Sequence, residues 1–246
     1  MSNTVAIIQA RMGSTRLPEK VLMNIGNEPM LSHVYERTKH ASLVDDVVIA
    51  TSTESADDAI ASFCKSTGIE CYRGSETDVL DRYYQTASSR GADSIVRLTG
   101  DCPLLSPPVI DRVIGAYSRS DAEYVTNTIQ YTYPDGLDVE VFGFATLETT
   151  WNEATEPAER EHVTPYMRDS DEIPTENVEN VLDVSQYDFT DDDTVLRWTV
   201  DHPEDMTFVR EVYARLTRSG HWVFDQQSVL ELLEREPALR TINEDR

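Results

Sequence analysis

Through the first half of the chain, short apolar runs alternate with amphipathic stretches, and no other feature constrains the fold as tightly. Residues 5–8, 47–50, 69–72 and 94–99 are apolar and short enough to be buried strands. Between them lie segments with helical spacing. Met30, Leu31, Val34 and Tyr35 share one face of a helix expected over 29–39. Val79, Leu80, Tyr83 and Tyr84 do the same over 78–89, and a helix over 55–65 carries Asp57 and Asp58 in its first turn, where the dipole favours acids. Repeated β-loop-α units predict an α/β fold: a mainly parallel sheet covered by helices on both faces. Ligands of such sheets lie at the carboxyl ends of the strands. The loops beginning at Gln9, Thr51, Arg73 and Gly100 are therefore expected on one rim. The second half is less regular. Helices are expected over 107–117, 146–152, 157–167, 203–218 and 226–234, and strands over 123–127, 178–184 and 195–199. Pro134-Asp135-Gly136 reads as a tight turn before an extended run, and 188–193 as an acidic turn. No Gly-, Ser- or Pro-rich linker separates domains.

The first of these loops changes composition abruptly. Gly13, Ser14 and Thr15 supply flexible backbone and small hydroxyls, and Arg11, Arg16 and Lys20 place three cations close together. A strand running into such a loop suits polyphosphate, because backbone N–H groups and hydroxyls surround the oxygens while the cations neutralise charge. The spacing is neither a Walker A loop nor a Rossmann glycine fingerprint. A solvated basic turn balancing nearby acids accounts for the same residues.

Those cations stand out because the chain is acidic, with 45 Asp and Glu against 21 Lys and Arg and a net charge of −24. This argues against a general nucleic-acid binder, which carries a basic face. The acids are spread along the chain and only 3 of the bases are Lys. Distributed acidity of this kind is expected of a protein adapted to high salt, where screening removes self-repulsion. No apolar run approaches the ~20 residues of a membrane span. The N-terminus lacks a basic region followed by an apolar stretch, so the cytoplasm is the expected location. Cys64, Cys71 and Cys102 have no zinc-ligand spacing and are expected as free thiols.

Two segments repeat one pattern. Residues 95–103 and 195–203 both contain Arg-x-Thr-x-Asp-x-Pro, so that Asp101 and Asp201 each follow an apolar run. Two carboxylates from two strand ends can hold Mg²⁺, which takes one or two carboxylates together with waters and phosphate oxygens. Local alternatives exist for both. Asp201, three residues before Glu204, fits a helix cap, and Asp101 fits a turn residue before Pro103.

Residues Gln9-Ala10-Arg11-Met12-Gly13-Ser14-Thr15-Arg16-Leu17-Pro18-Glu19-Lys20 resemble the opening motif of the cytidylyltransferases that make CMP-activated acid sugars. These are the CMP-sialate and CMP-KDO synthetases and, most similar, the SpsF spore-coat-polysaccharide branch. Further matches are Tyr72-Arg73-Gly74-Ser75, Asp78 to Tyr84, Thr99 to Leu104, Tyr133 to Glu140, Arg160 to Tyr166 and Thr199-Val200-Asp201. They cover nearly the whole chain in the family's order. The resemblance implies a Rossmann-like nucleotide-diphospho-sugar transferase fold forming one domain. Residues 1–127 would be its nucleotide-binding half. Residues 128–246 would hold the sugar, the second metal ligand and homodimer contacts. It also implies CTP, an acid sugar and Mg²⁺. Carried onto this chain, Ala10, Arg11, Met12, Gly13, Ser14, Thr15, Arg16 and Lys20 hold the phosphates. Ser75, Asp78 and Arg82 face base and ribose, and Asp101 and Asp201 ligate the metal. Cys102 departs from the KDO enzymes, which favour an acid there.

The implied chemistry is nucleotidyl transfer: a sugar hydroxyl attacks the α-phosphorus of CTP and pyrophosphate leaves. Arg11, Lys20, Asp101 and Asp201 are the candidate catalytic residues. Asp138 and Glu140 share one face of the extended run and are candidates for sugar hydroxyls, or equally surface carboxylates. His162 is a candidate sugar contact or a packed helix histidine. Arg160 either meets the sugar carboxylate or pairs with Glu156 at i−4. A glycosyltransferase of similar fold would show Asp-x-Asp after a strand; Asp101-Cys102-Pro103 lacks the second Asp, and residues 191–193 follow no apolar run. A nucleotide-sensing module would bind without turnover, and it leaves the paired carboxylates unexplained.

Overall fold

The computed structural model describes residues 2–187, 196–217 and 223–243. The first strand, β1 (Thr4–Gln9), is buried from Val5 to Ile8 and is an interior strand, third in the order of a seven-stranded sheet. Parallel partners flank it on both sides, β4 (Asp46–Ser52) and β6 (Ser94–Thr99), and β5 (Cys71–Gly74) adds to β4. The second half of the chain completes the same sheet. β8 (Glu140–Gly143) runs antiparallel between β6 and β7 (Tyr124–Thr126), and β9 (Thr175–Asn177) pairs parallel with β7. The sheet order is β5-β4-β1-β6-β8-β7-β9, with a small hairpin of β2 (Asn24–Ile25) and β3 (Glu28–Pro29) apart from it. This is the mainly parallel Rossmann-like sheet expected.

Strand periodicity sorts the core into two layers. Ala6 and Ile8 of β1 face one side. There they pack with Met30, Leu31 and Val34 of α1 (Met30–Lys39) and Ile60 of α2 (Asp58–Thr67). Ile110 and Val113 of α4 (Pro107–Tyr117), Val209 and Val212 of α8 (Pro203–Leu216) and Leu230 and Leu233 of α9 (Gln226–Arg235) complete that layer. Val5 and Ile7 face the other side. Their neighbours are Val79, Leu80 and Tyr83 of α3 (Val79–Arg90), Leu147 of α5 (Phe144–Glu153) and Met167 of α7 (Pro165–Asp169). At about 1.5–3 kcal/mol per fully buried aliphatic side chain, β1 contributes to both layers, as do β4 through Val48 and Ile49 and β6 through Ile95 and Val96.

The second half departs from the sequence expectations in several places. The helix expected over 157–167 is two, α6 (Pro157–His162) and α7, because Val163 turns to φ 71 between them and Pro165 starts afresh. Val163 is fully buried, which holds a β-branched residue in that strained region. The strand expected over 178–184 is instead β9, just upstream, followed by a loop. There Asn180 bonds to Thr132 and Val181 is exposed. The strand expected over 195–199 does not join the sheet. Residue 195 lies outside the described residues, and Arg197 makes an isolated parallel bridge with Asp135. Its backbone is engaged by the Pro134-Asp135-Gly136 turn: Asp135 N–H donates to Leu196 O (2.8 Å), and Trp198 N–H donates to Asp135 O (2.7 Å). The acidic turn over 188–193 also lies outside the described residues. The helix expected over 55–65 opens with a 3-10 turn, Ser55–Asp57, before α2.

Candidate active site

Register places the strand ends together. Gln9 is level with Ala50 of β4 and Thr99 of β6, and Ser52 with Gly74 of β5, so the four predicted loops leave from one rim. β8 runs the other way, which brings its first residue, Glu140, to the same rim beside Arg97. At the ends of β1 and β6 lies a cleft of about 290 Å³. Its walls come from Gln9, Ala10, Arg11, Gly13, Ser14, Thr15, Arg16 and Lys20, then Glu76, Val79 and Arg82. Thr99, Gly100 and Asp101, Glu161 and His162 of α6, and Asp201 complete them. Arg11, Arg16, Lys20 and Arg82 thus balance Glu76, Asp101, Glu161 and Asp201, in a chain whose acids otherwise outnumber its bases by about two to one.

The loop is held by a residue that its own segment does not contain. Asp57 is buried, and its Oδ1 accepts from Met12 N–H (2.7 Å) while its Oδ2 accepts from Ser52 Oγ–H (2.5 Å) and Ser52 N–H (3.2 Å). Sequence reasoning placed Asp57 against a helix dipole. It does stand at the start of that helix, and its side chain also pins the polyphosphate-type loop to the end of β4. Met12 N–H is used in this way, and the Met12 side chain packs on the core rather than lining the cleft. Gly100 permits the other close approach: a Cβ there would lie 3.1 Å from both Gln9 O and Ala10 Cβ.

Lys20 is the centre of the site. Its Nζ donates to Asp101 Oδ2 (2.8 Å), Asp201 Oδ1 (2.9 Å) and Val200 O (2.7 Å). Burial alone would lower the ammonium pKa, but Asp101 and then Asp201 outweigh it and raise it. Asp201 responds in the opposite sense. Burial pushes its carboxyl up, while Lys20, Arg16 and Arg197 pull it below the ordinary carboxylate value. Arg16 reaches Asp201 Oδ2 at 2.9 Å and Arg197 reaches it at 2.6 Å. The helix-cap alternative for Asp201 does not hold. His202 is the N-cap of α8, and Asp205 Oδ2 accepts from the N–H groups of both His202 (2.8 Å) and Asp201 (3.0 Å). His202 and Asp205 thus cap the helix reciprocally, which leaves the Asp201 carboxylate facing Lys20.

Other predicted residues fall elsewhere. Arg82 lines the cleft and donates to Ser75 O (2.8 Å). Ser75 and Asp78 do not line it: Ser75 Oγ accepts from Asp78 N–H, and Asp78 caps α3. Asp78 also pairs with Arg160, 2.7 Å from Nη2, and Arg160 donates to Trp151 O at 2.7 Å. Arg160 therefore pairs with neither Glu156 nor the cleft. His162 does line the cleft, together with Glu161, which the residue patterns did not single out. Glu140 is nine-tenths buried and pairs with Arg97 (2.7 Å), leaving Oε2 without a partner among the described residues. Among the described residues Asp138 carries no ion pair; burial, then Asp135 and Glu140, push its pKa up to about 7. Gln9, whose buried Oε1 also lacks a partner, and Arg197, which bridges Asp135, Asp201 and Asp205, were not singled out either. The repeated Arg-x-Thr-x-Asp pattern was the available signal for Arg197. Among the described residues, no group of three or more His, Cys, Asp or Glu is placed to hold a metal ion.

Comparisons with known proteins show what the chain is similar to. Residues 5–236 match the profile of the family described as cytidylyltransferase. The uncharacterized protein MJ1063 of Methanocaldococcus jannaschii is 35% identical over 97% of this chain and 93% of its own length. The spore coat polysaccharide biosynthesis protein SpsF of Bacillus subtilis is 37% identical over 68% of this chain and 71% of its own. A 3-deoxy-manno-octulosonate cytidylyltransferase of Pelobacter propionicus is 43% identical over 46% of this chain and 43% of its own. A solved cytidylyltransferase from Leptospira borgpetersenii superposes with a TM-score of 0.87 at 30% identity, covering 97% of each chain.

Proposed function

The chain belongs to the cytidylyltransferase family, and from that premise we propose that it joins CMP from CTP to a hydroxyl of an acid sugar, releasing pyrophosphate, with Mg²⁺ as cofactor. The observation that carries this reading is the convergence of Arg11, Arg16, Lys20 and Arg82 on one cleft with Asp101 and Asp201, at the carboxyl ends of parallel strands. Relatives named for 3-deoxy-manno-octulosonate support the choice of an acid sugar.

The residues suit a hard cation. Asp101, Asp201 and the Val200 carbonyl are oxygen donors that already converge on a single positive centre, the Lys20 ammonium. Mg²⁺ held by Asp101 and Asp201 would supply charge neutralisation on the triphosphate. The remaining work falls to the chain itself. The 10–16 loop, fixed by Asp57, offers backbone and hydroxyls to phosphate oxygens. Arg11 and Arg16 offset the charge that collects on pyrophosphate as the bond from Pα to the bridging oxygen breaks. His162 and Glu161, which line the cleft, hold the sugar so that one hydroxyl faces Pα, and positioning lowers the barrier; Glu140, buried against Arg97, lies outside that lining.

Pyrophosphate release measured with each nucleoside triphosphate against a panel of acid sugars, with Mg²⁺, tests the reading. Turnover with CTP and one or more acid sugars is expected. Transfer only from a preformed nucleotide sugar would overturn it in favour of a glycosyltransferase.

A further inference from the structure

Lys20 Nζ has three N–H donors, and all three are used: Asp101 Oδ2, Asp201 Oδ1 and Val200 O lie at 2.8, 2.9 and 2.7 Å. Its side chain is only 9% exposed. In this arrangement the ammonium has no donor left for a phosphate oxygen, and it stands where two carboxylates from distant parts of the chain would meet a metal ion. Asp201 carries Arg16 and Arg197 as well, both on Oδ2. The free protein has thus already neutralised the carboxylates that a divalent ion needs. A metal ion arriving alone meets a position filled by a positive charge and flanked by two more. A triphosphate changes that balance, because it brings several negative charges and acceptor oxygens for Lys20 and Arg16.

We propose that Lys20 is an internal stand-in for the divalent ion, so that metal enters the Asp101–Asp201 site only with the triphosphate, which takes over the ammonium. The substrate species is then the metal–nucleotide complex, and the two cations exchange at one position. This rests on the reading of the cleft as a metal–nucleotide site. Lys20 is a positioning residue with two consecutive sets of partners, first the carboxylates and then the phosphates.

Mn²⁺ titration of the full chain, followed by electron paramagnetic resonance without nucleotide, tests the exchange independently of turnover. Lys20→Met removes the charge at similar length. Lys20→Gln keeps a donor between the carboxylates and serves if Lys20→Met does not fold, as judged by circular dichroism. The variant should bind Mn²⁺ roughly ten- to a hundredfold more tightly than wild type, the factor expected if the open site is populated at about 1–10%. An unreactive methylene analogue of CTP should bring wild type close to the variant. Equal Mn²⁺ affinity of wild type and variants without nucleotide would overturn the stand-in role while leaving the metal site intact. Absence of Mn²⁺ binding in every protein, with or without the analogue, would overturn the two-carboxylate site and the stand-in with it.

Discussion

Gly136→Ala probes how the second half of the chain delivers Asp201. Gly136 sits at φ 103, a region that side-chain-bearing residues rarely adopt. A Cβ there would lie 2.6 Å from Thr199 N, 2.7 Å from Trp198 C and 3.1 Å from Thr199 Cα. All three are backbone atoms, so no rotamer change relieves the contact. The conformational cost is about 1–3 kcal/mol, and overpacking adds about 1–3 kcal/mol. Together they take a large share of the ~5–15 kcal/mol that stabilises a typical domain. The displacement also has a direction. Trp198 and Thr199 N–H both donate to Asp135 O, at 2.7 and 3.1 Å, and Val200 N–H donates to Asp101 O at 2.9 Å. Pushing residues 198–199 away therefore loosens Asp201 from Lys20. Denaturant unfolding followed by the fluorescence of buried Trp198, with nucleotide affinity measured alongside, reads both effects. Gly13→Ala is the control, because its Cβ would meet nothing within 4 Å; it should change stability by no more than about 0.5 kcal/mol. Matching unfolding midpoints for Gly136→Ala and wild type would refute the argument.

Further outcomes follow from the same geometry. Asp57→Asn keeps one acceptor oxygen and turns the other into a donor, so either Met12 N–H or Ser52 N–H loses its acceptor; it should cost about 1–3 kcal/mol in denaturant unfolding and weaken nucleotide binding. Asp101→Asn and Asp201→Asn should each lower kcat about a hundredfold or more in the pyrophosphate assay while circular dichroism stays unchanged. Asp138 has a folded pKa raised to about 7, so the stability linked to its protonation is full below the ordinary carboxylate pKa and is lost as pH rises through 7. Asp138→Asn should therefore be more stable than wild type at pH 8 by a few kcal/mol, with the gap closing toward pH 4 in pH-resolved thermal melts.

Much of the scaffold was legible in the sequence because it depends on neighbours a few residues apart. Apolar runs with period two and helical faces with period 3.6 identify four parallel strands and the helices between them. The helix expected over 107–117 coincides with α4 at both end residues. The direction of those strands puts the loop from Gln9 to Lys20 on the rim where ligands sit. The second half was less legible, since its strands are three or four residues long and its turns are set by distant partners.

The site divides along the same line. That Arg11, Arg16 and Lys20 cluster follows from their spacing alone. That Lys20 meets Asp201, 181 residues away, does not. The same holds for Arg160, which finds Asp78 across 82 residues instead of Glu156 one turn earlier, and for Asp57, which fastens a loop 45 residues upstream instead of only facing a helix dipole. A charged side chain pairs with whatever the folded chain brings within about 3 Å, and local periodicity does not specify that neighbour. The sequence by itself determined the four parallel strands of the first half, their common rim and the cationic loop. Only the tertiary structure decided which carboxylates the cations meet, because the pairing depends on where the chain returns after crossing the sheet.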